Sequence, residues 1–299
     1  MRSAALLYPG EMGCAVAKVL VGDGWDVCTH LWGPSLVCRG DAEAAAIADL
    51  ESLEEAVGTS AVVISLVPPA AALETALAVA GAARRSGRRP LYLDANSVAP
   101  ATMAAIAAAL AGAGLECVDG AFVGSAAELF GRTRLYLSGP RAGELADALP
   151  AAFHATALGP EVGAASALKL SFAGFNKGLV ALFLAVMDAG AAAGERDELL
   201  ACLRAFYPGT VETLERLLPS YPRHAARRAD EMDELARWLS SAGRDPACAE
   251  AARDVLRRAA AAGLDGERRW TFAEALAAFA TDRSDGAEPD GDDSATAKP

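Results

Sequence analysis

The chain has 299 residues, 53% of them hydrophobic, and a formal net charge of −12. That length and apolar content suffice for large cores and favour two domains over one, while the acidic balance speaks against a nucleic-acid partner, which needs a basic face. Six cysteines, at positions 14, 28, 38, 117, 202 and 248, show no CxxC pair and no Cys/His cluster, so neither a metal site nor a disulfide framework is expected.

Ala4 to Tyr8 is a short apolar run that stops at Pro9-Gly10, and from Glu11 the spacing of Met12, Val16, Val19 and Leu20 is helical. The run is too short, and the helix follows too soon, for a signal peptide, so a cytoplasmic protein is expected. After Gly22-Asp23-Gly24, Trp25 to Leu31 reads as a second strand, completing a βαβ unit, the building block of parallel sheets. The turn Tyr8-Pro9-Gly10-Glu11-Met12-Gly13 is a departed form of the dinucleotide fingerprint G-x-G-x-x-G, with Tyr8 where the first glycine stands. Gly10 would let the backbone approach a pyrophosphate, Gly13 would let helix pack on strand, and free N–H groups at the helix start would hold phosphates. A plain strand-to-helix turn that needs glycines only for packing is the competing reading.

A carboxylate at the end of the second strand commonly accepts hydrogen bonds from the adenosine ribose of NAD. Here the positions read His30-Leu31-Trp32-Gly33-Pro34-Ser35, without an acid, so nothing repels a 2′-phosphate. His30, Trp32 and Ser35, with Arg39 nearby, are the candidate partners, and NADP is expected ahead of NAD.

Asp41 to Val57 reads as two short helices, Ala61 to Val67 as a doubly covered strand ending at Pro68-Pro69, Ala70 to Arg85 as a helix, and Leu91 to Asp94 as the next strand. Ligands bind at the carboxyl ends of such strands, which puts Val67, Pro68 and Asn96 on one rim with Gly10, where a nicotinamide would lie. A helix follows through Leu110, and Glu116 to Asp119 and Thr133 to Ser138 read as two strands separated by Gly120 to Ser125. A helix around Arg141 to Leu149 and a last strand, Phe153 to Leu158, complete a first domain over 1–160.

From Gly163 to Gly194 one long helix is expected, about 45 Å at 1.5 Å per residue, with small and large apolar residues on all faces and Lys169 taken into that cover. Its purely apolar stretch, Leu179 to Met187, is about half of a bilayer crossing and is bracketed by Lys177 and Asp188, so no membrane span is expected. That stretch is apolar over more surface than a small helical domain covers, which points to a homodimer. Five helical segments follow, Glu195 to Phe206, Pro208 to Leu218, Pro222 to Ser240, Pro246 to Ala262 and Glu267 to Ala280, making an all-α domain over 161–280. Residues 281–299, with six acids, two bases and no large apolar side chain, read as a disordered acidic tail.

A Rossmann-like, doubly wound, mostly parallel sheet joined through a lysine-bearing helix to an all-α domain resembles the β-hydroxyacid dehydrogenase and 6-phosphogluconate dehydrogenase superfamily. The resemblance rests on the turn Pro9 to Gly13, the VDxST-like stretch Leu93 to Ser97 with Pro100 after it, the DxPVSGG-like stretch Asp119 to Ser125, and Gly163 to Leu170. Thr133 to Pro140 and the Pro9 to Gly13 turn are closer to the branch with a DUF1932-type C-terminal domain. The resemblance implies an NAD(P)-dependent oxidoreductase of a small carbonyl or hydroxy-acid substrate, with Lys169 as general acid/base and Gly124 and Ser125 in the substrate loop. Two family side chains are absent: the asparagine four residues after the lysine is Ala173, and a loop serine falls at Val123. Asn176 and Lys177, seven and eight residues after Lys169 and near its helix face, are candidate replacements. An imine reductase of the same architecture and a non-catalytic dinucleotide-binding protein are the alternatives.

Overall fold

The computed structural model describes residues 2–30, 47–129, 131–265 and 267–280. It divides into two compact units, Met1–Ala173 and Gly174–Pro299. In chain order the first unit contains β1 (Ser3–Leu7), α1 (Glu11–Gly22), β2 (Asp26–Thr29), β3 (Ala48–Asp49), α2 (Leu53–Thr59), β4 (Val62–Ser65), α3 (Ala72–Ser86), β5 (Leu91–Asp94), α4 (Pro100–Ala111), β6 (Cys117–Val123), β7 (Arg134–Ser138), α5 (Ala142–Ala148) and β8 (Thr156–Ala157). The long helix α6 (Ala164–Ala192) begins in this unit and continues into the second.

The sheet has eight strands in the order β3-β2-β1-β4-β5-β6-β7-β8, all parallel neighbours except β6 and β7, which are antiparallel. This is the doubly wound arrangement that the alternation of apolar runs and helical segments implies. Successive side chains point to opposite faces, and both faces are buried. Ala4, Leu6, Val62, Ile64, Leu91 and Leu93 enter one core, and Ala5, Leu7, Val63 and Tyr92 enter the other with Met103 and Ile106 of α4.

Several boundaries differ from expectation. β6 runs on to Val123 through residues read as a connection, because it pairs with β7 in the register Asp119↔Ser138 to Val123↔Arg134. The last strand shrinks to Thr156–Ala157, preceded by a 3₁₀ turn at Ala151–Phe153. The two-residue β3 was not foreseen, being too short to carry a periodicity. Part of the segment read as two helices after β2 lies outside the described residues, as do the acidic tail and Cys38.

The second unit continues α6 and adds α7 (Arg196–Phe206), α8 (Pro208–Leu217), α9 (Tyr221–Ser241), α10 (Ala247–Ala261) and α11 (Phe272–Ala280). Its core is a set of helical stripes. Ala225, Ala229, Met232 and Ala236 line one side of α9, beside Val180, Phe183, Leu184 and Met187 of α6 and Ala249, Ala252 and Leu256 of α10. By length and mean hydropathy (1.7) α6 meets the requirement for a bilayer crossing, and 44% of its most apolar window is buried by the protein itself.

Candidate functional site

Strand register builds one rim. Leu7 pairs with Ser65, Ser65 with Asp94, and Asp94 with Asp119, so β1, β4, β5 and β6 reach the same level side by side. The turn Pro9 to Gly13 therefore leaves the sheet beside Val67 and Pro68 after β4 and beside Asn96 after β5. His30 follows β2 at the same edge, where its Nδ1 donates to the Leu50 carbonyl at 3.0 Å. Trp32 and Ser35, with Arg39, lie outside the described residues.

Tyr8, standing where the fingerprint has its first glycine, has φ +63°, so the chain makes the left-handed turn with a bulky residue in place. Gly13 cannot be replaced as easily. A Cβ there would sit 2.9 Å from the Tyr8 carbonyl oxygen and 3.2 Å from Leu6 Cδ2, so helix and strand touch at that point. Gly10 is the N-cap of α1 and brings no side-chain cap, which leaves the first-turn N–H groups of Glu11, Met12 and Gly13 to whatever approaches from the rim.

The other half of the site is a carboxylate network. Asp119, buried on β6, accepts from Ser138 Oγ (3.0 Å), Gly163 N (3.0 Å), Ser166 N (2.9 Å) and Ser166 Oγ (2.7 Å). Ser138 Oγ accepts in turn from Ala165 N at 3.0 Å. A side chain 44 residues upstream thus serves as the N-cap of α6, and its negative charge sits at the positive end of that helix. One turn after Ala165 and Ser166, on the same face, comes half-buried Lys169.

Asp94 lies at the carboxyl end of β5 within reach of this charge. Burial raises its carboxyl to about 7; hydrogen bonds from Asn96 work against the shift, Asp119 adds to it, and the charge of Lys169 opposes it. Asn96 is held twice by this carboxylate, N to Oδ1 at 3.1 Å and Nδ2 to Oδ2 at 2.9 Å, and Nδ2 also donates to Ser65 Oγ at 3.0 Å. Its own Oδ1 is buried and has no hydrogen-bond partner.

An uncapped helix start beside a close glycine contact, and a buried amide oxygen awaiting a donor on the same rim, suit the phosphate and nicotinamide ends of a dinucleotide. The residues present fit such a cofactor. Gly124, at φ +135°, admits no side chain, since a Cβ would lie 2.2 Å from Thr133 Oγ1. Ser125 follows it, its hydroxyl donating to Glu128 Oε2 at 3.1 Å.

Asn176 and Lys177 belong to the second unit, whereas Lys169 belongs to the first. Lys177 is 7% exposed and its Nζ pairs with Glu231 Oε2 at 2.6 Å. Burial lowers its pKa, against the attraction of Glu231. In the same unit Arg228 stacks on the Tyr221 ring at 3.8 Å, donates to Ser220 Oγ at 2.9 Å, and keeps a buried Nη1 without a partner. Sequence reasoning gave no part to Arg228, Ser138 or Ser166, and it read Asp94 and Asp119 only as pieces of motifs. Among the described residues no cluster of His, Cys, Asp or Glu could hold a metal.

Fold and rim together define a dinucleotide-binding Rossmann-type protein with a helical C-terminal unit. Two family models match in chain order: residues 6–150 match the NAD binding domain of 6-phosphogluconate dehydrogenase, and residues 191–259 match a domain of unknown function, DUF1932. Curated proteins give no match. Among solved structures, a conserved hypothetical protein from Sinorhizobium meliloti 1021 is 25% identical with a TM-score of 0.72, over 94% of this chain and 96% of that one. The 3-hydroxyisobutyrate dehydrogenase of Mycobacterium tuberculosis, solved with L-serine, is 16% identical with a TM-score of 0.70, over 93% and 98% of the two chains. An imine reductase from Myxococcus stipitatus in complex with NAD+ is 17% identical with a TM-score of 0.60, over 93% and 99%. The last two share the fold.

Proposed function

We propose that the protein is an NAD(P)-dependent oxidoreductase, preferring NADPH, that interconverts a small carbonyl compound and its alcohol, of the hydroxy-acid kind, with Lys169 as general acid/base. The observation that carries this reading is the placement of Lys169 one turn into a helix clamped by Asp119, close enough to Asp94 at the strand ends to alter its titration. The bound dinucleotide would supply or accept the hydride. The first-turn N–H groups of α1 hold phosphate, Asn96 Oδ1 accepts a donor from the nicotinamide end, and the Asp119 cap fixes where Lys169 stands. In reduction the Lys169 ammonium gives its proton to the carbonyl oxygen; in oxidation the neutral amine takes it from the hydroxyl.

Gly124, Ser125 and Asn176 are the proposed substrate contacts. Lys177 is less suited to that task than its sequence position suggests, because Glu231 already holds it. Arg228 Nη1 is a buried donor of the helical unit without a partner, suited to a carboxylate. The domains are proposed to divide at 160, with residues 161–280 carrying dimer contacts and 281–299 a solvated tail. Phe172, Phe175, Leu182 and Val186 lie exposed along one face of α6, and a second copy in the cytoplasm is the proposed cover. Light scattering at micromolar concentration tests the dimer; a clean 30.6 kDa monomer overturns it.

A second reading, an imine reductase, rests on the shared architecture, and a third, a non-catalytic dinucleotide-binding protein, is supported by Ala173 and Val123, which remove polar contacts to a hydroxy acid. One experiment separates the readings: NADPH and NADH titration by nucleotide fluorescence, then turnover against ketones, aldehydes, oxo acids and cyclic imines. Turnover of oxo acids or ketones supports the first proposal, turnover of imines alone the second, and binding without turnover a sensor. A preference for NADH beyond about tenfold, roughly 1.4 kcal/mol, overturns the NADPH assignment.

A further inference from the structure

The buried Asn96 amide is more constrained than a cofactor contact requires. Both of its Nδ2 hydrogens are used, one by Asp94 Oδ2 at 2.9 Å and one by Ser65 Oγ at 3.0 Å, while Oδ1 is left without a partner in a residue only 4% exposed. An ionised carboxylate has no hydrogen to give, so it can face only the NH₂ side of an amide. The orientation of Asn96 is therefore decided by the charge state of its neighbour.

We propose that Asp94 and Ser65 are positioning residues that lock the Asn96 amide with its oxygen toward the nicotinamide end of a bound dinucleotide, and that Asp94 must be ionised for that end to be held. The inference rests on the dinucleotide reading above. When Asp94 carries a proton, its O–H becomes a donor, and the amide can turn over so that Oδ1 accepts it. Nδ2 then faces the ligand, donor against donor, and the oxygen is no longer offered to a carboxamide N–H or a ribose hydroxyl.

The groups around Asp94 put this exchange near neutrality. Asp119 on β6 disfavours its ionisation and Lys169 on α6 favours it, with burial the largest influence. Tyr92 on the same strand and Cys117 on β6 are both pushed upward, by burial first and by the Asp94 charge. They stay neutral between pH 6 and 8, and Ser65 on β4 does not titrate. Cofactor affinity should thus scale with the ionised fraction of one carboxyl.

The test is a pair of titrations on the full chain at pH 6 and pH 8: NADH against ADP-ribose, which lacks the nicotinamide, and NADPH against 2′-phospho-ADP-ribose. Taking the ratio within each pair cancels the titration of the 2′-phosphate, whose pKa is about 6. With Asp94 titrating at about 7, the nicotinamide-bearing partner should lose about tenfold in relative affinity at pH 6. Asp94→Asn should bind weakly at both pH values with a flat ratio, and Ser65→Ala should bind more weakly than the parent while keeping the pH slope. Circular dichroism establishes that each variant is folded; should Asp94→Asn not fold, the parent ratio and Ser65→Ala decide. A parent ratio equal at both pH values, or an Asp94→Asn variant that keeps the slope, overturns the inference while the dinucleotide reading stands. Absence of NADH and NADPH binding at either pH overturns both.

Discussion

Lys169 and Lys177 lie eight residues apart on α6, yet their surroundings differ in kind. Lys177 is buried in the helical unit against a carboxylate of its own, Glu231, which Arg227 also reaches. Lys169 follows a helix start held by Asp119 and stands near Asp94, a carboxyl that titrates close to neutrality. Lys177 has its ammonium committed to Glu231, although burial lowers its pKa. A lysine set beside a carboxyl of intermediate acidity, at the end of parallel strands, has the surroundings of a proton-transfer group. Proximity in sequence says little about which role a lysine has.

The largest effect expected from this contrast is on rate. Lys169→Met preserves length and apolar stem, so turnover should fall about a hundred- to ten-thousand-fold, while cofactor affinity, read near pH 8.5 where Asp94 is ionised with or without the lysine charge, changes by less than about twofold. Steady-state kinetics with fluorescence titration read both. Near-normal turnover in Lys169→Met, with loss in Lys177→Met, would transfer the acid/base role to Lys177 and break the comparison.

Asp119→Asn comes next, since four hydrogen bonds converge on that carboxylate. The amide can keep its oxygen where Gly163 N, Ser166 N and Ser138 Oγ converge and turn its NH₂ to the Ser166 hydroxyl, but the charge at the helix start is lost, so unfolding stability should drop by roughly 2–3 kcal/mol, with turnover falling alongside as the start of α6 loosens. Denaturant unfolding measures it. A loss under about 1 kcal/mol would mean that α6 holds its first turn without the cap.

Lys177→Met should show the opposite pattern, kinetics close to the parent and a smaller stability loss. A fully buried broken pair costs several kcal/mol, but Glu231 is 32% exposed and retains Arg227, so about 1–2 kcal/mol is expected.

The sheet was legible because strands buried on both faces write continuous apolar runs, as Val62 to Ser65 does, and its helices because Pro, Gly and capping residues mark their ends. β6 was underestimated because Gly120 inside DGAFV imitates a turn, and only pairing with β7, a non-local event, extends the strand. In the site, the PGEMG turn and Lys169 carry local patterns. The cap of α6 does not, since its acceptor comes from another strand. One signal was available: Gly163-Ala164-Ala165 begins a long helix with no capping side chain at its first positions, so an acceptor had to arrive from elsewhere. The Asn96 orientation could not be read at all, because it depends on the ionisation of a neighbour whose burial follows from the whole sheet.

The smallest expected effect tests the departed fingerprint. Tyr8 at φ +63° carries backbone strain of about 1–2 kcal/mol that glycine would not. Tyr8→Gly releases it, but glycine also widens the unfolded ensemble by about 0.4–1 kcal/mol, and the tyrosine ring lies over Gly10, its Cε1 3.2 Å from where a Cβ would stand. These terms nearly cancel, so stability should stay within about 1 kcal/mol of the parent. Cofactor affinity should hold or improve, because the variant restores the first glycine of G-x-G-x-x-G and uncovers Gly10. Thermal unfolding and NADPH titration check the two halves separately. If affinity instead falls more than about tenfold, about 1.4 kcal/mol, the Tyr8 ring is itself part of the nucleotide surface, and this branch binds its cofactor with an aromatic side chain where its relatives use bare backbone.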